Sequence, residues 1–199
     1  IRYWSIIKEK ILYRGFFKLS RVELKHELFA GGEGGPIIRE LLDRGHAAAV
    51  LPYDPVRDEV VLIEQFRIGA IDDPTGPWLT EVIAGVYEGG ESAEEVITRE
   101  AVEEAGCIIT DLTQIHKFYS TPGGSSEMID VYLARTDTSG LGGIHGIEEE
   151  GEDIRVQVVS SETAFAWLDN GRIDSSMPII ALQWFRLNRD EIRRRWLEK

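Results

Sequence analysis

Residues 85–106 read GVYEGGESAEEVITREAVEEAG, a segment that carries signals for both ends of a helix. Ser92 and Glu95 have the spacing of a capping box, in which each residue satisfies a backbone N–H of the other at the start of a helix. Gly106 is placed to end that helix, because glycine readily adopts a left-handed conformation. The stretch therefore predicts a helix from about Ala93 to Ala105.

Acidic side chains cluster on this predicted helix. Glu100 and Glu104 are one turn apart, and Glu103 lies beside them, next to an apolar stripe that includes Ile97 and Ala101. Like charges on one helix face repel unless a cation or a basic side chain lies between them. Oxygen ligands without cysteine or histidine favour Mg²⁺ or Mn²⁺ over zinc. The alternative is that this is only a solvated acidic helix, as most charge runs are.

Composition restricts the class of protein. The chain has 199 residues, enough for one domain of about 150 residues and an appendage. Its net charge of −13 at pH 7 repels a polyphosphate backbone, which disfavours nucleic acid as substrate or partner. A single cysteine rules out an intramolecular disulfide and suits a reducing cytoplasm. No apolar run approaches the roughly 20 residues that span a bilayer, so we expect no membrane partner.

The pattern of the chain changes near residue 45. Residues 13–29 and 37–45 alternate like strands of a small sheet around the glycine-rich turn AGGEGGP. The later strand predictions are a hairpin of AAAVLPYD and DEVVLIEQFR, one strand TEVIAGVYE that leads into the acidic helix, and the strands HKFYS, MIDVYLAR and IRVQVVS. Two helices, at about residues 162–169 and 177–196, close the chain. This order predicts an α/β protein with a mixed sheet covered on both faces.

The acidic helix and the loop before it resemble the signature box of the Nudix hydrolases. Seven positions have the spacing of the box: Gly85, Glu91, Arg99, Glu100, Glu103, Glu104 and Gly106. Two mild departures are the small residues Ala101 and Cys107 at aliphatic positions. The resemblance covers essentially the whole chain, including RELLDRGHAA, STPGGSSE and EDIRV, and is closest to the members that hydrolyse ADP-ribose.

That resemblance implies a Nudix α/β/α sandwich in residues 46–199. It also implies a small antiparallel β-sheet domain in residues 1–45, through which we expect a homodimer. Gly85 is expected to allow a close approach that a side chain would obstruct, and Glu91 to support the loop.

The resemblance also implies a Mg²⁺ site, with Mn²⁺ as a substitute. Its ligands fall on the carbonyl of Ala84 and on the side chains of Glu100, Glu104 and Glu152, all of them oxygen donors. Glu103 would assist metal binding directly or through water, and Arg99 would hold a neighbouring carboxylate in place.

Catalysis requires a base that takes a proton from the attacking water. In the family this glutamate comes from a loop, two positions before a metal-binding glutamate. The sequence EEEGEDIRV therefore assigns the base to Glu150, before Glu152. Glu148 and Glu149 are close enough to leave the register open.

Substrate-binding residues follow from the same resemblance. Arg67 would face the pyrophosphate, where a guanidinium grips phosphate oxygens. Phe16 and Phe17 offer an aromatic face for adenine, although core or interface packing explains Phe17 equally well. The residues around the nucleotide are Arg39, Glu40 and Arg44, and those near the terminal ribose are Val86, Thr121, Pro122, Gly123 and Glu127.

The expected function is Mg²⁺-dependent hydrolysis of ADP-ribose to AMP and ribose 5-phosphate. Pro122 follows Gly106 by 16 positions, an offset that marks ADP-ribose specificity in this subfamily. Two alternatives stay open: hydrolysis of another nucleoside diphosphate sugar, and an ADP-ribose-binding module without activity. The second is disfavoured because all the box glutamates are present.

Overall fold

The computed structural model describes residues 2–147, 149 and 151–198. The chain forms two compact units, which we call the N-terminal unit (Ile1–His46 with Tyr119–Met128) and the main unit (Ala47–Phe118 with Ile129–Lys199). No pattern in the sequence indicates that Tyr119–Met128 associates with residues so far away in the chain. The assignment of residues 1–45 as a dimerisation domain stays a prediction.

The described part of the N-terminal unit is built on a three-stranded antiparallel sheet. Its strands are β1 (Trp4–Arg14), β2 (Lys18–His26) and β3 (Ile37–Asp43), with β2 in the centre. Backbone hydrogen bonds join the segment Tyr119–Met128 to β3: Leu42 N donates to Gly124 O at 2.8 Å, and Ser126 N donates to Leu42 O at 3.1 Å. The predicted small N-terminal sheet is therefore confirmed.

The main unit contains a mixed sheet with eight strands among the described residues. Six of them follow the order β10-β11-β5-β4-β9-β8, in which β4 and β9 are parallel, whereas β11 is antiparallel to both β10 and β5, and β5 is antiparallel to β4. Their bounds are β4 (Ala47–Asp54), β5 (Glu59–Phe66), β8 (Thr110–Tyr119), β9 (Met128–Arg135), β10 (Gly143–His145) and β11 (Ile154–Ser160). The short β10 was not predicted, because three residues are too few to show an alternating pattern.

The remaining two strands lie where β4 and β5 separate. β4 and β5 pair only beside their turn, at Tyr53↔Val60 and Asp54↔Glu59. Farther along, β6 (Trp78–Glu81) pairs with β5, and β7 (Ile83–Val86) pairs with β4. The prediction of one strand for TEVIAGVYE was therefore wrong, because the chain changes partner at residue 82.

Helices cover both faces of this sheet, as predicted. They are α1 (Ala93–Ala105), α2 (Ser161–Asp169) and α3 (Ser176–Leu197), besides a short 3-10 helix at Ile68–Ala70. Helix α1 contributes Ile97 and Ala101 to one buried core, whereas Phe165 of α2 and Phe185 of α3 belong to the core on the other face. Within the described residues, no helix is long and apolar enough to cross a membrane.

Both predicted ends of α1 are confirmed. Ser92 Oγ accepts from Glu95 N at 3.3 Å, and Glu95 Oε2 accepts from Ser92 N at 2.7 Å, which completes the capping box. Gly106 ends the helix with a φ of 57°, a left-handed conformation that costs glycine little. Local signals in the sequence thus set both ends of α1.

Candidate active site

Helix α1 lies so close to β7 that the side chain of Glu100 occupies the space next to the Cα of Gly85. A Cβ atom at Gly85 would overlap the carboxyl group of Glu100. Any larger residue at position 85 would therefore displace this glutamate or the strand. The predicted close approach at Gly85 is confirmed, and it brings the acidic face of α1 against the backbone of residues 84 and 85.

Arg99 connects the carboxylates at the solvent edge of α1. Its Nε and Nη2 donate to the two oxygens of Glu91 at 3.1 and 3.2 Å. Its Nη1 donates to Glu100 Oε1 at 2.8 Å and to Glu103 Oε2 at 3.1 Å. The hydrogen bonds to Glu91 raise the pKa of Arg99, and those from Arg99 lower the pKa of Glu91. This arginine thus holds three glutamates in fixed positions.

Glu104 is the most deeply buried carboxylate of the group. Its side chain is on the inner face of α1, the residue is 3% exposed, and Oε2 accepts a hydrogen bond from Ala84 N at 3.1 Å. Burial raises the pKa of Glu104 to about 8, and the charge of Glu100 adds to the effect. Burial also raises the pKa of Glu100, although the nearby charge of Arg99 opposes this. Without a bound cation, burial thus disfavours the ionisation of Glu100 and Glu104 together.

Glu152 joins the group from the loop before β11. Its Oε2 accepts from Ile147 N at 3.1 Å, and its charge contributes to the raised pKa of both Glu100 and Glu104. The predicted base, Glu150, and its neighbour Glu148 lie outside the described residues. Glu149 is described and is exposed.

The chemistry of these residues suits a hard divalent cation. The side chains of Glu100, Glu104 and Glu152 and the carbonyl of Ala84 all offer oxygen. In their present arrangement, no three acidic, histidine or cysteine side chains of the described residues are close enough to hold a metal ion. A bound cation would therefore require these carboxylates to move closer to one another.

A residue that the sequence-based prediction missed holds Arg67. Glu81 of β6 is 4% exposed, and its Oε2 accepts from Arg67 Nε at 2.6 Å. The charge of Arg67 also opposes the rise in the pKa of Glu104, so this arginine lies near the carboxylate cluster. The signal that could have identified Glu81 is the presence of an acidic residue in the largely apolar sequence TEVIAG. Val86, the predicted ribose contact, is 40% exposed at the end of β7.

In the N-terminal unit, three of the predicted substrate residues come together. Arg44 Nε lies 3.2 Å from Glu127 Oε1, and Glu127 is 7% exposed. The Arg44 guanidinium also lies over the ring of Phe17, 5.4 Å from its centroid, within the range of a cation–π contact. Phe16 meets Phe17 edge to face and is 90% exposed.

The other predicted residues of this unit lie on β3 and in one turn. Arg39 and Glu40 are exposed on β3, where the Arg39 guanidinium donates to Ile38 O at 2.8 Å. Residues 121–123 form a turn in which Thr121 O accepts from Gly124 N and Ser125 N. The predicted site residues thus form two groups, one in each unit.

A cavity of about 700 Å³ lies elsewhere in the main unit, at the C-terminal end of α1. Two arginines line it, but Arg57 already pairs with Asp54 and Asp137, and Arg135 lies 3.6 Å from Asp111. Their charges are compensated within the protein. The carboxylate cluster, and not this cavity, is therefore the candidate active site.

The chain resembles known proteins over most of its length. The NUDIX domain model matches residues 43–178. The chain is 48% identical over 192 residues to the ADP-ribose pyrophosphatase of Escherichia coli (strain K12), covering 96% of this chain and 92% of the relative. It is 32% identical over 190 residues to the GDP-mannose pyrophosphatase of Enterobacter sp. (strain 638), covering 92% of this chain and 95% of the relative.

The crystal structure of an ADP compounds hydrolase shares the fold, with a TM-score of 0.70, 21% identity and 96% of both chains covered. One conclusion follows from the seven matching box positions, from the carboxylates that they bring to α1 and from the extent of these matches. The chain belongs to the Nudix family of hydrolases.

Proposed function

We propose that this protein hydrolyses the pyrophosphate bond of ADP-ribose and releases AMP and ribose 5-phosphate in a Mg²⁺-dependent reaction. The observation that carries the proposal is the buried carboxylate of Glu104 beside Glu100 and Glu152, which needs a cation to hold its charge. The name of the 48% identical relative supports ADP-ribose as substrate. The offset of 16 residues from Gly106 to Pro122 supports it independently.

Mg²⁺, with Mn²⁺ as a substitute, would be held by the Ala84 carbonyl and by Glu100, Glu104 and Glu152. When bound, the metal lowers the pKa of a coordinated water and neutralises charge on the pyrophosphate. Glu103 assists metal binding, directly or through a water. Arg99 restrains Glu100 and Glu103 through the hydrogen bonds described above.

Arg67 is the proposed phosphate ligand. Glu81 accepts from its Nε at 2.6 Å, and within the described part of the chain the two terminal nitrogens have no hydrogen bond, so they can donate to phosphate oxygens. Two parallel N–H···O bonds are the geometry in which guanidinium groups bind phosphate best. The buried carboxylate of Glu81 also fixes the orientation of the guanidinium before substrate arrives.

The N-terminal unit supplies the proposed contacts to the rest of the substrate. Phe16 and Phe17 offer aromatic faces to adenine, and Arg39, Glu40 and Arg44 surround the nucleotide. The proposed contacts to the terminal ribose are Val86 in the main unit and, in the N-terminal unit, Thr121, Pro122, Gly123 and Glu127. The contact of Arg44 with both Phe17 and Glu127 supports a shared site for these residues.

A homodimer in the cytoplasm is the proposed form of the enzyme. Edge strand β1 exposes many large apolar side chains, including Trp4, Ile6 and Tyr13. An apolar surface of this kind is typical of an interface between protein chains.

Sedimentation equilibrium should give twice the mass of the chain at micromolar concentration, and the mass of one chain would refute the dimer. The single, buried Cys107 suits a reducing compartment.

A second candidate substrate is GDP-mannose or another nucleoside diphosphate sugar. The observation in its favour is the 32% identity to a GDP-mannose pyrophosphatase. The chemistry at the carboxylate cluster would be the same, because both substrates carry a pyrophosphate. Only the contacts to base and sugar would differ.

A substrate panel tests the proposed function. ADP-ribose, ADP-glucose, GDP-mannose and NADH are incubated with Mg²⁺ or with a chelator, and nucleotide release is followed. We expect kcat/KM to be highest for ADP-ribose, by about ten-fold or more, and to vanish with the chelator. A higher value for GDP-mannose would favour the second candidate. Binding of ADP-ribose without hydrolysis of any substrate would instead identify a binding module.

Glu150→Gln tests the proposed base. Loss of a general base lowers kcat by about 10²- to 10⁴-fold and leaves KM nearly unchanged, because substrate contacts are kept. Glu149→Gln is the matched control, since it removes the same charge from the adjacent residue. Normal turnover in Glu150→Gln, with slow turnover in Glu149→Gln or Glu148→Gln, would move the base to that position.

A further inference from the structure

Gln65 of β5 is a buried polar residue without a partner at one end of its amide. The residue is 9% exposed, and among the residues that the structure describes its Nε2 has no hydrogen-bond partner. Buried amide groups are nearly always hydrogen-bonded, because an unpaired one loses its hydration without compensation. Packing in the core does not explain a glutamine at this position, since an apolar side chain would fill the same space without that loss.

The alternation of side chains along β5 shows which face of the sheet carries Gln65. Side chains alternate along a strand, and Val61 and Ile63 of β5 belong to the buried core that includes α1. Gln65 follows Ile63 by two positions and therefore lies on the same face of the sheet. Leu79 of β6 is directly opposite in the strand register. These apolar neighbours cannot accept or donate a hydrogen bond.

The same face leads to the candidate active site. Arg67 follows Gln65 by two positions and bonds to Glu81, which lies opposite Ile63 in the register of β5 and β6. The core on this face includes Ile97 and Ala101 of α1, the helix that carries Glu104. Gln65 is thus next to Arg67, at the border between the apolar core and the carboxylate cluster.

We propose that Gln65 binds substrate by donating its amide N–H to a pyrophosphate oxygen that Arg67 also holds. This rests on the proposed function, because it requires a pyrophosphate beside Arg67. The terminal torsion of glutamine is broad and soft, so the amide can rotate to present its N–H groups without movement of β5. A neutral donor adds a hydrogen bond for the anion and places no further charge near Glu104.

Gln65→Met tests the proposal, because methionine has a similar length and no hydrogen-bonding amide. Three quantities are measured: the thermal unfolding temperature without ligand, kcat and KM for ADP-ribose, and the Kd of its non-hydrolysable α,β-methylene analogue. We expect the unfolding temperature to stay equal or rise, because an unpaired polar group is removed from the interior. KM and Kd should rise about ten-fold, with kcat nearly unchanged, as for a contact kept from bound substrate to transition state.

Gln65→Glu is the second variant and keeps the shape of the side chain. It places a carboxylate against the pyrophosphate, so we expect a larger rise in Kd than for Gln65→Met. Gln157→Met on β11 is the matched control, since its Nε2 donates to Glu64 Oε2 at 2.8 Å. This control should lose stability and keep the wild-type Kd.

The outcomes separate this proposal from the proposed function. Wild-type protein that neither binds the analogue nor hydrolyses ADP-ribose would refute both. Wild-type protein that binds the analogue, with an equal Kd for Gln65→Met, would refute the role of Gln65 alone. A lower unfolding temperature of Gln65→Met at unchanged Kd would assign Gln65 a structural role and likewise overturn the proposal.

Discussion

The burial of the Glu104 carboxylate beside Glu100 is the constraint on which the rest of the site depends. An ionised carboxylate in the protein interior is unfavourable unless a cation or several hydrogen bonds compensate it. Ala84 N supplies one hydrogen bond to Glu104, and Arg67 supplies a nearby positive charge. Neither removes the destabilisation, because burial still raises the pKa of Glu104 to about 8. The proposed Mg²⁺ site would resolve this conflict, because a bound cation compensates the buried charge.

The scaffold can tolerate this strain because α1 is fixed at both ends and along one side. The capping box starts the helix, Gly106 ends it, and its apolar stripe packs into the core of the sheet. Gly85 lets the acidic face approach β7, and Arg99 restrains the outer carboxylates. The backbone that carries Glu100 and Glu104 is therefore fixed before any ligand binds.

Much of this could be predicted from the sequence, because the signals are local. The bounds of α1 follow from Ser92, Glu95 and Gly106, and the α/β class follows from the order of apolar strands and helices. Contacts between distant residues could not be predicted in the same way. The separation of β6 from β7 depends on how β4 and β5 diverge, and the pair of Arg67 and Glu81 depends on a strand register that no local pattern encodes.

The stability of Glu104→Gln without and with Mg²⁺ tests the central claim most directly. A carboxyl group whose pKa is raised from 4.5 to about 8 on folding destabilises the folded state above pH 4.5, and fully above pH 8. Above pH 8 and without metal, the variant should therefore exceed wild type in the free energy of unfolding, by on the order of 5 kcal/mol. Mg²⁺ should stabilise wild type and the control Glu191→Gln, but not Glu104→Gln. A variant less stable than wild type without metal, and equally stabilised by Mg²⁺, would contradict the account.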